Sequence, residues 1–422
     1  MSVKHRSFTV PLLDRKETHR LPVATYTIIE QYNVKHYLII NKENMKRMKI
    51  ALLLSATAVF TACGSNTVKE EPGLKDVLED KFLIGVALNT RQSAGRDTAA
   101  TYIVQKHFNA IVAENCMKSA EIHPEKDRYN FSQADQFVQF GVDNNLAITG
   151  HCLIWHSQLP AWFCTDEKGE NVTPEVLKER MKEHIYTVVG RYKGVIKGWD
   201  VVNEAILEDG SYRKSKFYEI LGEEFIPLAF QYAQEADPEA ELYYNDYNEW
   251  YPGKRETVVR LINTLKERGI RIDGIGMQGH LGMENPTIET YQETIDDYVN
   301  AGVKVLITEL DISPLPEPRR MGGANLADME AYRNEIDPYK EGLPDEVAQA
   351  WDNRMMDLFN LFLKNSDNVL RVTMWGVSDA DSWKNNFPVR GRTDYPLLFD
   401  RDHQPKGVVT QLIDQLSSVE KQ

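Results

Sequence analysis

Two glutamates stand directly after apolar, strand-like runs. Val195-Ile196-Lys197-Gly198-Trp199-Asp200-Val201-Val202 leads into Asn203-Glu204, and Val303-Lys304-Val305-Leu306-Ile307-Thr308 leads into Glu309-Leu310-Asp311. Two carboxyl groups facing each other across a cleft can cleave a glycosidic bond. One must be a proton donor with a raised pKa, and the other must stay ionised. A separation of roughly 5–5.5 Å gives retention through a covalent glycosyl-enzyme, and roughly 6.5–9.5 Å gives inversion. The sequence does not fix that distance. A structural ion pair with a nearby Arg or Lys suits either glutamate alone about as well. The balance shifts because other apolar runs also end in polar or aromatic residues: Glu114-Asn115, His151, Gln278 with His280, and Trp375.

The elements that must position these groups follow from the rhythm of the chain. Short apolar runs recur at 82–88, 108–113, 146–149, 195–202, 241–244, 272–275, 303–308 and 370–375. Amphipathic stretches lie between them, such as 174–192, opened by Thr173-Pro174, then 254–268, and 352–364 with Met355, Met356, Leu358, Phe359, Leu361 and Phe362. Eight strands alternating with helices predict parallel βα units. A closed (β/α)8 TIM barrel forming a single catalytic domain is favoured over an open doubly wound sheet. In such a barrel the residues that end the apolar runs fall on the C-terminal rim.

Composition narrows the partners. The chain has 422 residues, 63 Asp+Glu against 49 Lys+Arg, a net charge of −14 and 42% hydrophobic residues. That composition suits a folded chain and excludes extensive disorder. Residues 1–62 hold ten Lys/Arg and four Asp/Glu, a net +6, which leaves −20 (−14 less +6) for the remainder. Such a body has no basic footprint for nucleic acid. From Met45 the chain reads MKRMK, IALLLSATAVF and TACG, a basic start, an apolar run and small residues before Cys63. The pattern resembles a bacterial lipoprotein signal over 45–62, with cleavage before a lipidated Cys63. An ordinary secretory signal followed by an incidental cysteine is the alternative. Residues 1–44 then read as an upstream extension ahead of a start at Met45 or Met48, and 63–73 as a polar tether. The protein is expected to be exported, held at the cell envelope (the outer membrane) by that lipid alone, and monomeric. Cys116, Cys152 and Cys164 read as buried small hydrophobes.

The stretches FNAIVAEN, GHCLIWHSQLPAWF, WDVVNEAI, YYNDYN, GIGMQGHL, ITELDI and VTMWGVSDADSW carry a further signal. In order and content they resemble the glycoside hydrolase family 10 endo-β-1,4-xylanases over 74–417, within a catalytic domain at 74–420. The resemblance implies a (β/α)8 barrel and a retaining enzyme with Glu204 as general acid/base and Glu309 as nucleophile. It gives Asn203 the sugar 2-hydroxyl, and His280 with Asp311 the task of orienting Glu309 and keeping it ionised. Glu114, Asn115, Lys118, His151, Trp155 and Gln278 become glycone-side sugar contacts. Trp375 and Trp383 become aromatic walls, and Tyr247 a stacking face on the leaving-group side. No cofactor or metal is implied, and the partner is xylan or xylo-oligosaccharides, whose neutral backbone suits an acidic body. Trp375 could instead be a core residue, and Lys118 a solvated helix lysine.

Two readings compete with a xylanase: a retaining β-1,4-glucanase or mixed-specificity hydrolase on the same barrel, and a non-catalytic xylan-binding lipoprotein. The last should have lost a catalytic carboxylate, and both are present. Gly274-Ile275-Gly276-Met277-Gln278-Gly279 spells G-x-G-x-x-G, but the residues after it are unsuited to the helix a dinucleotide site needs. His151 and His156 lack H-E-x-x-H spacing for zinc. The segment 313–344 is long for a βα loop and is expected to shape the rim.

Overall fold

The computed structural model describes residues 71–317, 332 and 334–419. The extension 1–44, the signal 45–62, Cys63 and most of the tether lie outside the described residues, as does much of 313–344. The described residues fall in one compact unit, 70–422.

Nine strands form one sheet. They are β1 Leu83–Leu88, β2 Ala110–Ala113, β3 Ala147–Trp155, β4 Gly198–Asn203, β5 Glu241–Asp246, β6 Gly274–Met277, β7 His280–Gly282, β8 Lys304–Ser313 and β9 Val369–Met374. Neighbours from β1 to β6 pair in parallel, β1 also pairs with β9, and β9 with β8. The β6–β8 pairing closes the ring, so eight staves make the predicted (β/α)8 barrel. The ninth strand, β7, was not expected. It is the sixth stave resuming beyond a break at Gln278-Gly279, paired with the upper part of β8.

Strand boundaries differ from the apolar runs for physical reasons. Val195 and Ile196 belong to the turn after helix Pro174–Arg191, their N–H groups bonded to the Tyr192 carbonyl, so β4 starts at Gly198. Phe108 caps helix Thr98–His107. In the other direction β3 and β8 run on through polar residues, because in a barrel the inward polar side chains remain part of the ladder. Glu309 and Asp311 therefore lie inside β8, not after it.

Two bulges sit under the two glutamates. Asp200 pairs with Tyr243 and Val202 with Tyr244, so β4 spends two steps where β5 spends one. Ile307 pairs with Val372 and Leu310 with Met374, three steps on β8 against two on β9. Each extra residue breaks strict alternation and re-aims the side chains that follow, a recurrent device beside active sites.

Helices wrap the barrel through apolar stripes. Helix Pro174–Arg191 begins where the sequence predicts, with the Thr173 hydroxyl accepting the Val176 N–H at 3.4 Å and Pro174 in its first turn. It buries Leu177, Met181, Ile185, Val188 and Val189 against the sheet, each contributing about 1.5–3 kcal/mol of burial. Helix Asp345–Lys364 starts seven residues before the predicted 352 and adds the buried Trp351 to the expected face.

Candidate active site

Glu309 is buried on β8, and its two carboxylate oxygens have different partners. Oε1 accepts the Asn245 side-chain N–H at 2.9 Å, and Oε2 lies 3.2 Å from His280 Nε2. On its other side, His280 Nδ1 lies 3.0 Å from Asp311 Oδ2. Asp311 is fully buried, accepts the Trp383 indole N–H at 2.8 Å and has Lys384 Nζ at 3.4 Å. The break at Gln278-Gly279 makes this possible, because it lets β7 pair His280 directly with Asp311.

Charge follows from that geometry. Burial alone would push the His280 imidazolium down, but Asp311 and Glu309 outweigh it and raise its pKa to about 9. Burial would also raise both carboxyls. For Glu309 the His280 hydrogen bond and the charges of His151, His280 and Lys118 reverse that, and for Asp311 the charges of His280 and Lys384 do so. Both end below the usual carboxylate range. At neutral pH, His280 is a cation that donates from Nε2 to Glu309 and forms an ion pair through Nδ1 with Asp311.

Glu204 is built differently. The strand ends at Asn203, and Glu204 turns into the left-handed region at φ 56°. A non-glycine residue there is strained and needs external support. Its N–H donates to the Asn245 carbonyl at 2.9 Å, and its carbonyl accepts the Arg213 Nε–H at 2.8 Å. The half-buried carboxylate accepts from Trp155 Nε1 at 3.0 Å, Asn203 Nδ2 at 3.2 Å and Gln278 Nε2 at 3.2 Å. All three donors are neutral. Glu204 forms no ion pair with a described residue, whereas Glu309 does.

Asn245, which the sequence analysis passed over in favour of Tyr247, joins the two halves. Its Nδ2 donates to Asn203 Oδ1 and to Glu309 Oε1, both at 2.9 Å, while its Oδ1 accepts the Thr308 hydroxyl at 2.6 Å. The amide fits because Gly276 leaves room: a Cβ there would stand 2.3 Å from Asn245 Oδ1. The available signal was its place at a strand end in YYNDYN. Tyr247 itself is half-buried, with its hydroxyl held by Arg213 Nη2 at 2.7 Å and Lys254 Nζ 4.3 Å over its ring. The Lys254 ammonium takes one of its faces.

The remaining candidates line the same rim. Lys118 is buried, not a solvated helix lysine; it donates to Asn115 Oδ1 at 3.1 Å and lies 4.8 Å over the Trp155 ring. Burial pushes the Glu114 carboxyl up, against the opposing pull of Lys118. His151 is buried, with Nδ1 fixed by Asp200 at 2.9 Å. Trp375 is buried but separate from the main core, packed with Ala87 and Val112 and backed by Trp383. It meets His151 edge-on at 5.4 Å and His280 at 6.4 Å. Trp383 stacks on the exposed Phe387 at 5.1 Å. Asp200, Arg213 and Phe387 were also absent from the sequence reading. Among the described residues, no group of three His, Cys, Asp or Glu side chains is arranged to hold a metal ion. The G-x-G-x-x-G stretch forms β6 and the break before β7 and opens no helix.

Comparison with known proteins agrees with this geometry. The chain is 48% identical over 345 residues to the endo-1,4-beta-xylanase A of Xylanibacter ruminicola, covering 82% of this chain and 94% of that protein. It is 39% identical over 351 residues to the endo-1,4-beta-xylanase B of Paenibacillus barcinonensis, covering 82% and 99%. A solved endoxylanase retrieved from a sugarcane soil metagenome superimposes with a TM-score of 0.77 at 42% identity, over 82% of this chain and 99% of that one. The model of glycosyl hydrolase family 10 matches residues 73–415, and the chain belongs to that family.

Proposed function

We propose that the protein is a retaining endo-β-1,4-xylanase, with Glu309 as nucleophile and Glu204 as general acid and base. The observation that carries the role assignment is the unequal environment of the two carboxyls. Glu309 faces a cation, His280, that favours its anion, while the Glu204 carboxylate accepts only from the neutral donors Trp155, Asn203 and Gln278. In the first step a Glu309 oxygen attacks the anomeric carbon as the glycosidic C–O bond breaks, and the Glu204 proton passes to the leaving oxygen. In the second step Glu204 takes a proton from water, whose oxygen attacks the same carbon and frees Glu309. Two inversions give retention. Asn203, held through its Oδ1 by Asn245, keeps an amide at the floor of the site for the sugar 2-hydroxyl. Glu114, Asn115, Lys118, His151 and Gln278 supply polar edges, and Trp155, Trp375 and Trp383 supply aromatic walls.

Xylan is the substrate we assign because relatives sharing 39–48% identity over most of their length are endo-1,4-beta-xylanases. Reducing-sugar release should be far greater on xylan than on carboxymethylcellulose; equal release would point to a glucanase. Glu204→Ala should lower turnover of xylan by roughly 10²–10⁴-fold. In kcat/KM, which reports the first step, it should act much less on aryl xylobiosides whose leaving groups need no proton, while their kcat still falls because Glu204 is also the base of the second step. An equal loss on both substrates would remove Glu204 from the acid role.

The His280 contacts set a pH window. Its pKa is raised from 6.5 to about 9 on folding, so its stabilising contribution is complete below pH 6.5 and is lost as pH rises through 9. Glu309 and Asp311 are lowered, so theirs is lost in the acid range as pH falls. Melting temperatures from pH 6.5 to 9 should therefore decline less steeply in His280→Gln than in the wild type. Parallel curves would show that His280 is not charged in the native protein.

We further propose export and lipid attachment at Cys63, with the enzyme held at the outer membrane. The support is the run of basic, apolar and small residues from Met45 to Cys63. Expressed with its leader in a Gram-negative host, the wild type should partition with membranes and Cys63→Ala should not. Identical partitioning of the two would contradict lipidation.

A further inference from the structure

Behind the two catalytic carboxyls lies a third that the reaction above does not use. Glu249 follows β5 by three residues and is fully buried. Its Oε1 accepts the main-chain N–H of Gln278 at 2.8 Å, while Oε2 is sealed from solvent with no hydrogen-bond partner. The nearby cation is already committed: Lys254 Nζ binds Asp246 at 2.9 Å and the Tyr247 carbonyl at 2.7 Å. The Tyr298 hydroxyl reaches only the main-chain carbonyl of Glu249, at 3.4 Å, and the Tyr291 hydroxyl is buried without a partner. Among the described residues, the hydrogen bond that the Glu249 side chain makes to another residue goes to Gln278.

Gln278 is a residue of the site whose placement matters to both glutamates. It lies in the break between β6 and β7, outside both strands. Its N–H has only the Asp246 carbonyl, at 2.9 Å, besides Glu249. From this position its side-chain amide reaches Glu204 Oε1 at 3.2 Å and Asn203 Oδ1 at 3.3 Å. Its carbonyl accepts the Glu309 N–H at 2.7 Å. One residue outside the strands therefore contacts both members of the catalytic pair, and displacing it displaces both.

We propose that Glu249 is a positioning residue: by clamping the main chain of Gln278 from behind, it fixes the placement of Glu204 relative to Glu309. Burial pushes its carboxyl up to about 8, so near neutrality it serves as a neutral acceptor and adds no further negative charge beneath the site. The alternative is that Glu249 only fills space under the barrel rim. The two differ in what an apolar side chain of equal reach would do, since it would restore the packing and remove the clamp.

The proposal rests on Glu204 and Glu309 being the catalytic pair, and wild-type hydrolysis of xylan tests that separately. Full-length Glu249→Met, Glu249→Gln, Gln278→Ala and the Glu249→Met/Gln278→Ala double variant should be compared by kcat, KM and melting temperature. Glu249→Met should melt at or above the wild-type temperature, yet lose about tenfold to a hundredfold in kcat with KM little changed. Glu249→Gln, which keeps an acceptor oxygen at the same reach, should recover most of that loss. In the Gln278→Ala background the Glu249→Met loss should shrink, because the two residues act along one route. Should Met not be accommodated, Glu249→Leu gives the same comparison. Wild-type kcat in the apolar variant would overturn the proposal. So would an equal impairment in Glu249→Gln, or the same fold-loss with and without the Gln278 side chain. An active wild type with any of these outcomes refutes the clamp and leaves the catalytic pair standing.

Discussion

A charged imidazole held between two buried carboxylates is the interaction on which the site depends. His280 lies 3.2 Å from Glu309 and 3.0 Å from Asp311. Each group alone would be penalised there, because burial disfavours every one of their charged forms. Together they hold one another ionised, and the Trp383 indole and Lys384 ammonium support the far end at Asp311. The consequence reaches the chemistry directly. Glu309 is held as an anion by a counter-charge built into the rim, the state that its proposed role as nucleophile requires before the sugar arrives.

The barrel supplies what the triad requires. β8 carries both carboxylates two residues apart, so they share a face. The bulge just before Leu310 aims them, and the interrupted sixth stave returns as β7 with His280 in register beside Asp311. On the other side β4 bulges and then ends, delivering Glu204 into a turned backbone braced by Asn245 and Arg213. Asn245 ties the sides together through one amide nitrogen. Glu309 is thus placed within a strand and Glu204 one residue beyond the end of another, so both are anchored close to rigid elements.

Much of this was legible in the sequence, and the rest was hidden for identifiable reasons. Apolar runs of strand length followed by Glu204 and Glu309 announced a parallel barrel with chemistry on one rim, and Thr173-Pro174 marked a helix start. Burial drives those patterns, so hydrophobicity records them. Bulges leave no such trace: Val201 and Thr308 look like ordinary strand residues, and only pairing with a neighbour shows that one step is surplus. The break at Gln278-Gly279 was masked by the glycine-rich spelling around it. Asn245 and Glu249 were missed because their importance comes from partners distant in the chain, 42 to 64 positions away for Asn245 and 29 for Glu249. Boundaries at Val195 and Phe108 erred because apolar residues also close helices.

The central claim is that Glu309 is the ionised nucleophile and Glu204 its proton-transfer partner. An activated 2-deoxy-2-fluoro-β-xylobioside tests it most directly, since fluorine slows both steps and a good leaving group lets the covalent intermediate accumulate. Intact mass followed by peptide mapping reads the site of attachment. The account predicts one fluoroxylobiosyl adduct per chain, on the peptide containing Glu309 and on that side chain. An adduct on Glu204, or turnover to an inverted product with no adduct, would contradict it.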